Sequence, residues 1–172
     1  MINTELYISL NNTKWESALP NYKQTAEDVV SLAVNFIAQK EPSSCLTLNK
    51  PLSFNLCLSD DTEIHALNKE FRGKDKPTNV LSFANIDSSD FEQQIKFDDI
   101  IEMGDIIIAL ETMQKESAEK NISLHDHFCH LLTHGVLHLL GYDHIEDEEA
   151  EHMENFEINI LKQMNIKNPY EE

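Results

Sequence analysis

Residues 123–140 read SLHDHFCHLLTHGVLHLL, a helical stretch that is apolar on nearly every side, with Leu131, Leu132, Val136, Leu137, Leu139 and Leu140 spread around its circumference. A helix on a protein surface hides one stripe; this one has to be surrounded, so the remaining chain must form a coat around it. Its five histidines then stand in a low-dielectric wall, where an unpaired imidazole is costly and a metal ion is a good partner.

The stretches ELYISL (5–10), SFNLCLS (53–59), NVLSFAN (79–85) and MGDIIIAL (103–110) carry the β-branched or alternating patterns of strands. Thr25 is placed to cap a helix running to Lys40, with Val29, Val30, Ala33, Val34 and Ile37 at helical spacing. Ser59, Asp60 or Asp61 begins a second helix through Ile64, Leu67, Asn68 and Phe71. A short polar helix is expected over 111–120, and an amphipathic one over 146–164 through Ala150, Met153, Phe156, Ile160, Leu161 and Met164. The segment through Trp15 and Pro20 reads as a polar loop, EPSS (41–44) as a helix stop and 86–99 as an acidic loop. Strands alternating with helices early, then helices alone, predict a small, mostly parallel or mixed sheet with helices packed on it. A chain of 172 residues has room for one core and too little for two ordinary domains, so 1–172 is read as a single domain.

Apolar runs such as IIIAL (106–110) fall far short of the roughly 20 residues that span a bilayer, so neither a membrane span nor a membrane partner is expected. The opening MINTELYISLNN lacks the charge, apolar core and cleavage site of a secretory signal, so the cytoplasm is the expected location. Cys45, Cys57 and Cys129, odd in number and far apart, suggest neither a disulfide framework nor a CxxC metal site. The formal charge of −18 opposes nucleic-acid binding, unless a local positive patch or a partner protein works against it.

His134 and His138, four residues apart, lie about 40° apart around a helix and can chelate one ion. Gly141 can end that helix in a left-handed conformation and let the chain turn back to deliver His144. Three imidazoles with a fourth position open is the pattern of catalytic zinc. The run HGVLHLLGYDH (134–144) reproduces the metzincin frame HExxHxxGxxH except at its second residue, where Gly135 replaces glutamate. Seven of the eight histidines fall between 125 and 152, so spacing alone is weak evidence; His127 and His130 compete as ligands, support the ligands from behind or serve as ordinary polar residues, and His65, His125 and His152 default to the surface. Without the glutamate, ordinary metalloproteolysis lacks its base, although zinc alone can lower the pKa of water to about 7. Gly135 is read as leaving room beside the metal, and Asp143 either as orienting a ligand histidine or as a turn residue.

Such a site needs a cation for developing charge. KEFRGKDKPTNVLSF (69–83) concentrates Lys69, Arg72, Lys74 and Lys76 in an acidic chain. These residues either favour a helix C-terminus through its dipole or bind phosphate, with Arg72 as a planar fork.

RGKDKPTNVLSF (72–83), GDIIIAL (104–110) and HGVLHLLGYDH (134–144) together resemble the bacterial YbeY family, zinc-dependent endoribonucleases of ribosomal RNA maturation, in the family's order and over nearly the whole chain. The resemblance implies an α+β fold, a small mixed four-stranded sheet covered by about five helices, with one zinc ion on His134, His138 and His144 and Arg72 as the functional arginine. It further implies cleavage of single-stranded ribosomal RNA at the 3′ end of the small-subunit species and a part in late ribosome quality control, with ribosomal small-subunit proteins or a ribosome-associated GTPase as partners and no DNA substrate. Ala84 stands where the family commonly has proline, which touches loop geometry. Two rivals remain: a metalloprotease drawing its base from elsewhere, with the 79–85 strand as a peptide edge, and a non-enzymatic, zinc-stabilised ribosome-assembly module.

Overall fold

The computed structural model describes residues 1–171 in the order β1 (Thr4–Leu10), α1 (Lys14–Ala18), α2 (Tyr22–Lys40), α3 (Ser44–Thr47), β2 (Leu52–Ser59), α4 (Asp61–Arg72), β3 (Val80–Ala84), a 3-10 turn (Asn85–Asp87), α5 (Phe91–Phe97), β4 (Ile101–Ala109), α6 (Leu110–Lys120), α7 (Leu124–Leu139) and α8 (Asp147–Gln163). The sheet order is β1-β2-β4-β3, with β1, β2 and β4 parallel and β3 antiparallel to β4 at one edge. This is the expected mixed α+β architecture. Among the described residues five helices are long and three are short, and only the long ones carry enough periodicity to be read from sequence.

The apolar strand positions alternate as a pleated sheet requires: Phe54, Leu56 and Leu58 of β2 and Ile106 and Ile108 of β4 are fully buried in the main core. That core is closed by α2 and by α7, which pack on each other, and α7 also meets β3, β4, α6 and α8. Helix α7 is thus enclosed over most of its surface, with eleven of its residues buried. On the opposite sheet face, a smaller cluster of Ile64, Leu81, Ile107 and Ala109 seats α4.

Two loop expectations are corrected. The Trp15 segment is helix α1, because the indole is fully buried, meets Phe128 edge-on at 5.7 Å and donates its Nε1–H to Ser59 O at 2.8 Å. The acidic 86–99 segment contains α5, since Phe91 and Ile95, one turn apart, are both buried. EPSS stops α2 after Lys40 as expected, and then leads into the short α3, whose Cys45 and Leu46 are buried. Helix α2 begins at Tyr22, and Thr25 lies inside its first turn, its N–H donating to Asn21 O at 3.0 Å, rather than capping it. Of the three candidates at the start of α4, Asp60 is the cap, accepting the Glu63 N–H at 2.9 Å. Among the described residues, no helix is long and apolar enough to cross a membrane.

Candidate metal centre

Helix α7 carries His134 and His138 on one side, their ring centroids 4.5 Å apart. Its end is tied by Gly141 N–H to His138 O and by Tyr142 N–H to Leu137 O, both at 3.0 Å. At φ +104° Gly141 adopts a conformation that side chains strain against, and the reversal brings His144 back with its ring 5.2 Å from His134 and 5.0 Å from His138. The Tyr142 hydroxyl tethers this turn to Glu41, just past the end of α2, at 2.6 Å. One nitrogen from each of the three histidines lies within 4.8 Å of the others, so the group could hold one metal ion. His134 and His138 are half-buried and His144 is exposed, leaving an accessible side.

The hydrogen bonds decide which nitrogens face inward. His134 Nδ1 meets Glu157 Oε2 at 3.2 Å and His138 Nδ1 meets Tyr142 O at 2.8 Å. Carbonyl and carboxylate oxygens only accept, so each Nδ1 carries the hydrogen and each Nε2 is a bare donor to metal. The two Nε2 atoms are 3.0 Å apart, a repulsive approach for two lone pairs that a shared cation relieves. In a tetrahedral zinc site, ligand nitrogens lie about 3.3 Å apart, so the residues fit such an ion. Burial, and then the neighbouring His134, push the His138 pKa down to about 4, keeping it in the neutral, ligating form.

Glu157 escaped the sequence reading. It sits fully buried on α8, where it also accepts His130 Nε2–H at 2.7 Å and the Tyr170 hydroxyl at 2.8 Å. Burial raises its pKa, but the bonds from His130 and His134 outweigh that and hold it well below the usual carboxylate range. One signal was present: it lies in the apolar stripe of α8 between Met153 and Leu161, where a carboxylate needs partners. The remaining histidines are not brought to the triad. His127 pairs with Glu116 at 2.8 Å and the half-buried His65 with Asp75 at 2.7 Å, while His125 and His152 are exposed.

Two expectations change. Gly135 does not face the metal side: a Cβ there would meet Ile106 of β4 at 3.0–3.3 Å, so its missing side chain lets α7 approach the sheet. Asp143 accepts the His144 backbone N–H at 2.7 Å, whereas its oxygen is 3.8 Å from His144 Nδ1, so of its two readings the turn role holds.

Arg72 ends α4, and Gly73, at φ +69°, turns the chain there. Its Nη2 donates to Ser82 O at 2.9 Å, and the guanidinium lies 4.7 Å over the Phe83 ring, so it is aimed although exposed. One cavity of about 650 Å³ is lined by Arg72, Lys74 and Lys76 together with His134, His138 and His144. Lys69 does not line it. Segments 58 or more residues apart in sequence thus line one space, which the cations share with the candidate ligands.

The family model described as Endoribonuclease YbeY matches residues 9–165. A relative of that name from Rhodospirillum rubrum is 45% identical over 158 residues, covering 91% of this chain and 76% of the relative. Another from Paramagnetospirillum magneticum is 37% identical over 171 residues, covering 99% and 98%. A solution structure from Thermotoga maritima covers 98% of this chain and 100% of its own at 22% identity and a TM-score of 0.50, a likeness of fold.

Proposed function

The chain belongs to the Endoribonuclease YbeY family, and on that premise we propose that residues 1–172 form one metal-dependent hydrolase domain that cleaves single-stranded ribosomal RNA. His134, His138 and His144 would hold one zinc ion, which when bound would supply Lewis acidity and lower the pKa of water to about 7. The observation that carries this reading is the shared cavity, which Arg72, Lys74 and Lys76 line together with the triad.

Arg72 stabilises negative charge as it builds on the phosphate oxygens. Its anchoring to Ser82 O and Phe83 pre-orients the fork, so little reorganisation is needed when charge develops. Lys74 and Lys76 draw the phosphate backbone into the cavity as point charges, a local answer to the formal charge of −18. The acidic remainder of the surface favours delivery of RNA by basic partners, ribosomal small-subunit proteins or a ribosome-associated GTPase, in the cytoplasm during maturation of the small-subunit 3′ end. The protease reading is less favoured, since Gly135 offers no carboxylate and Ser82 O of the edge strand is already taken by Arg72.

The test is Arg72→Ala. The variant retains zinc and fold, and its cleavage of single-stranded RNA falls by about 10²-fold or more, as for loss of one charge-stabilising group. Unchanged turnover removes Arg72 from the mechanism, and chelator-resistant turnover removes the metal.

A further inference from the structure

We propose that Glu157 is the positioning residue of the metal centre: its carboxylate fixes the Nδ1–H tautomer of His134 and so keeps the Nε2 of that ligand bare toward the ion. The inference rests on the metal reading above and concerns a residue 23 positions beyond His134, on another helix.

Three donors converge on this carboxylate, His134 Nδ1 at 3.2 Å on Oε2, and His130 Nε2 at 2.7 Å and the Tyr170 hydroxyl at 2.8 Å on Oε1. The residue is fully buried, so no solvent substitutes for a missing partner. An ionised carboxylate only accepts, which forces a hydrogen onto each of those three atoms. His130 agrees: its Nδ1 is buried without a partner, as suits a nitrogen with no hydrogen to donate. The neutral form of an imidazole carries one N–H, and which nitrogen bears it follows the bond made by the other. Glu157 therefore selects, at His134, the single tautomer that can ligate through Nε2. The second α7 ligand, His138, is fixed by the Tyr142 backbone carbonyl, which substitution cannot remove; Glu157 is the side-chain member of the pair.

Glu157→Gln separates positioning from packing, because the two side chains have nearly the same shape. The amide has one accepting oxygen, and two donors meet Oε1 against one at Oε2, so the oxygen settles toward His130 and Tyr170 and the NH2 group faces His134. The ring then turns its hydrogen to Nε2, against the metal.

The experiment measures zinc and cobalt(II) affinity by chelator competition, with ¹⁵N imidazole spectra of the metal-free protein. In the wild type, His134 is expected as the Nδ1–H tautomer; in Glu157→Gln it switches to Nε2–H, and zinc affinity falls about 10- to 100-fold. Tyr170→Phe, which removes a donor and leaves the acceptor in place, keeps both tautomer and affinity, and so controls for general loosening. Wild-type His134 found as Nε2–H overturns the proposal even if the Gln variant fails to fold, and so does a folded Gln variant that binds zinc as tightly as wild type. A wild-type chain that takes up no zinc overturns the metal reading itself, a distinguishable result.

Discussion

Adding one carbon at Gly135 tests what this glycine is for. A Cβ there would sit 3.0 Å from Ile106 Cγ2, 3.2 Å from Cδ1 and 3.3 Å from Cγ1. Ordinary carbon contacts lie at about 3.5–4.0 Å, so Ile106 would have to retreat on three atoms at once. Ile106 is fully buried on a strand paired on both sides, so the retreat is costly. Overpacking of this kind costs about 1–3 kcal/mol, while Gly→Ala within a helix returns about 1 kcal/mol. Gly135→Ala is therefore expected to be about 1 kcal/mol less stable than wild type in urea denaturation of the chelated protein, with zinc affinity unchanged. In a double-mutant cycle with Ile106→Ala, which deletes all three opposing atoms, the coupling should be favourable by about 1–2 kcal/mol. A Gly135→Ala chain stabilised by its helix propensity refutes the contact argument. Intact stability with weakened zinc binding refutes it too, and returns the glycine to the metal side.

Two further outcomes follow from the same geometry. In the metal-free protein, His127 and His138 have pKa values depressed first by burial, so below pH 6.5 the unfolded chain takes up protons that the folded one refuses, and stability falls as pH falls. His138 alone, at about 4, contributes a loss of about 1 kcal/mol between pH 7.5 and 5.5, read by urea denaturation in the two buffers; equal midpoints would contradict the assigned burial. Gly104→Ala places a Cβ 2.1 Å from Phe83 O at φ +131°, so β3 cannot stay paired to β4 there, and the variant should lose soluble expression or its cooperative thermal transition. A variant with wild-type Tm would mean that this pairing is dispensable.

The triad was legible because its geometry is local: a four-residue helical interval and a glycine that permits a reversal need no knowledge of the rest of the fold. Arg72 was legible as a cation, but its place opposite the histidines depends on α4 and α7 lying on either side of β3, which no spacing encodes. Glu157 was missed for the same reason, its partners arriving from 23 and 27 residues away. Helices α1 and α5, of 5 and 7 residues, are too short to show a period, and Trp15 and Phe91 anchor them through contacts made elsewhere in the chain. Gly135 was misread although the helix itself held the answer. A residue next to His134 is rotated about 100° from it, while His138 is rotated only about 40°, so position 135 belongs to a different side of α7 from the ligands.

The three imidazoles are unequally mounted. Two ride on a helix locked into the interior, whereas the third stands on an exposed turn that pivots at Gly141 and is moored to Glu41 by the Tyr142 hydroxyl. An ion held there would be seated by the rigid pair, and its release would be governed by the moored turn. Cutting that tether acts like loosening a clasp whose other jaw stays fixed.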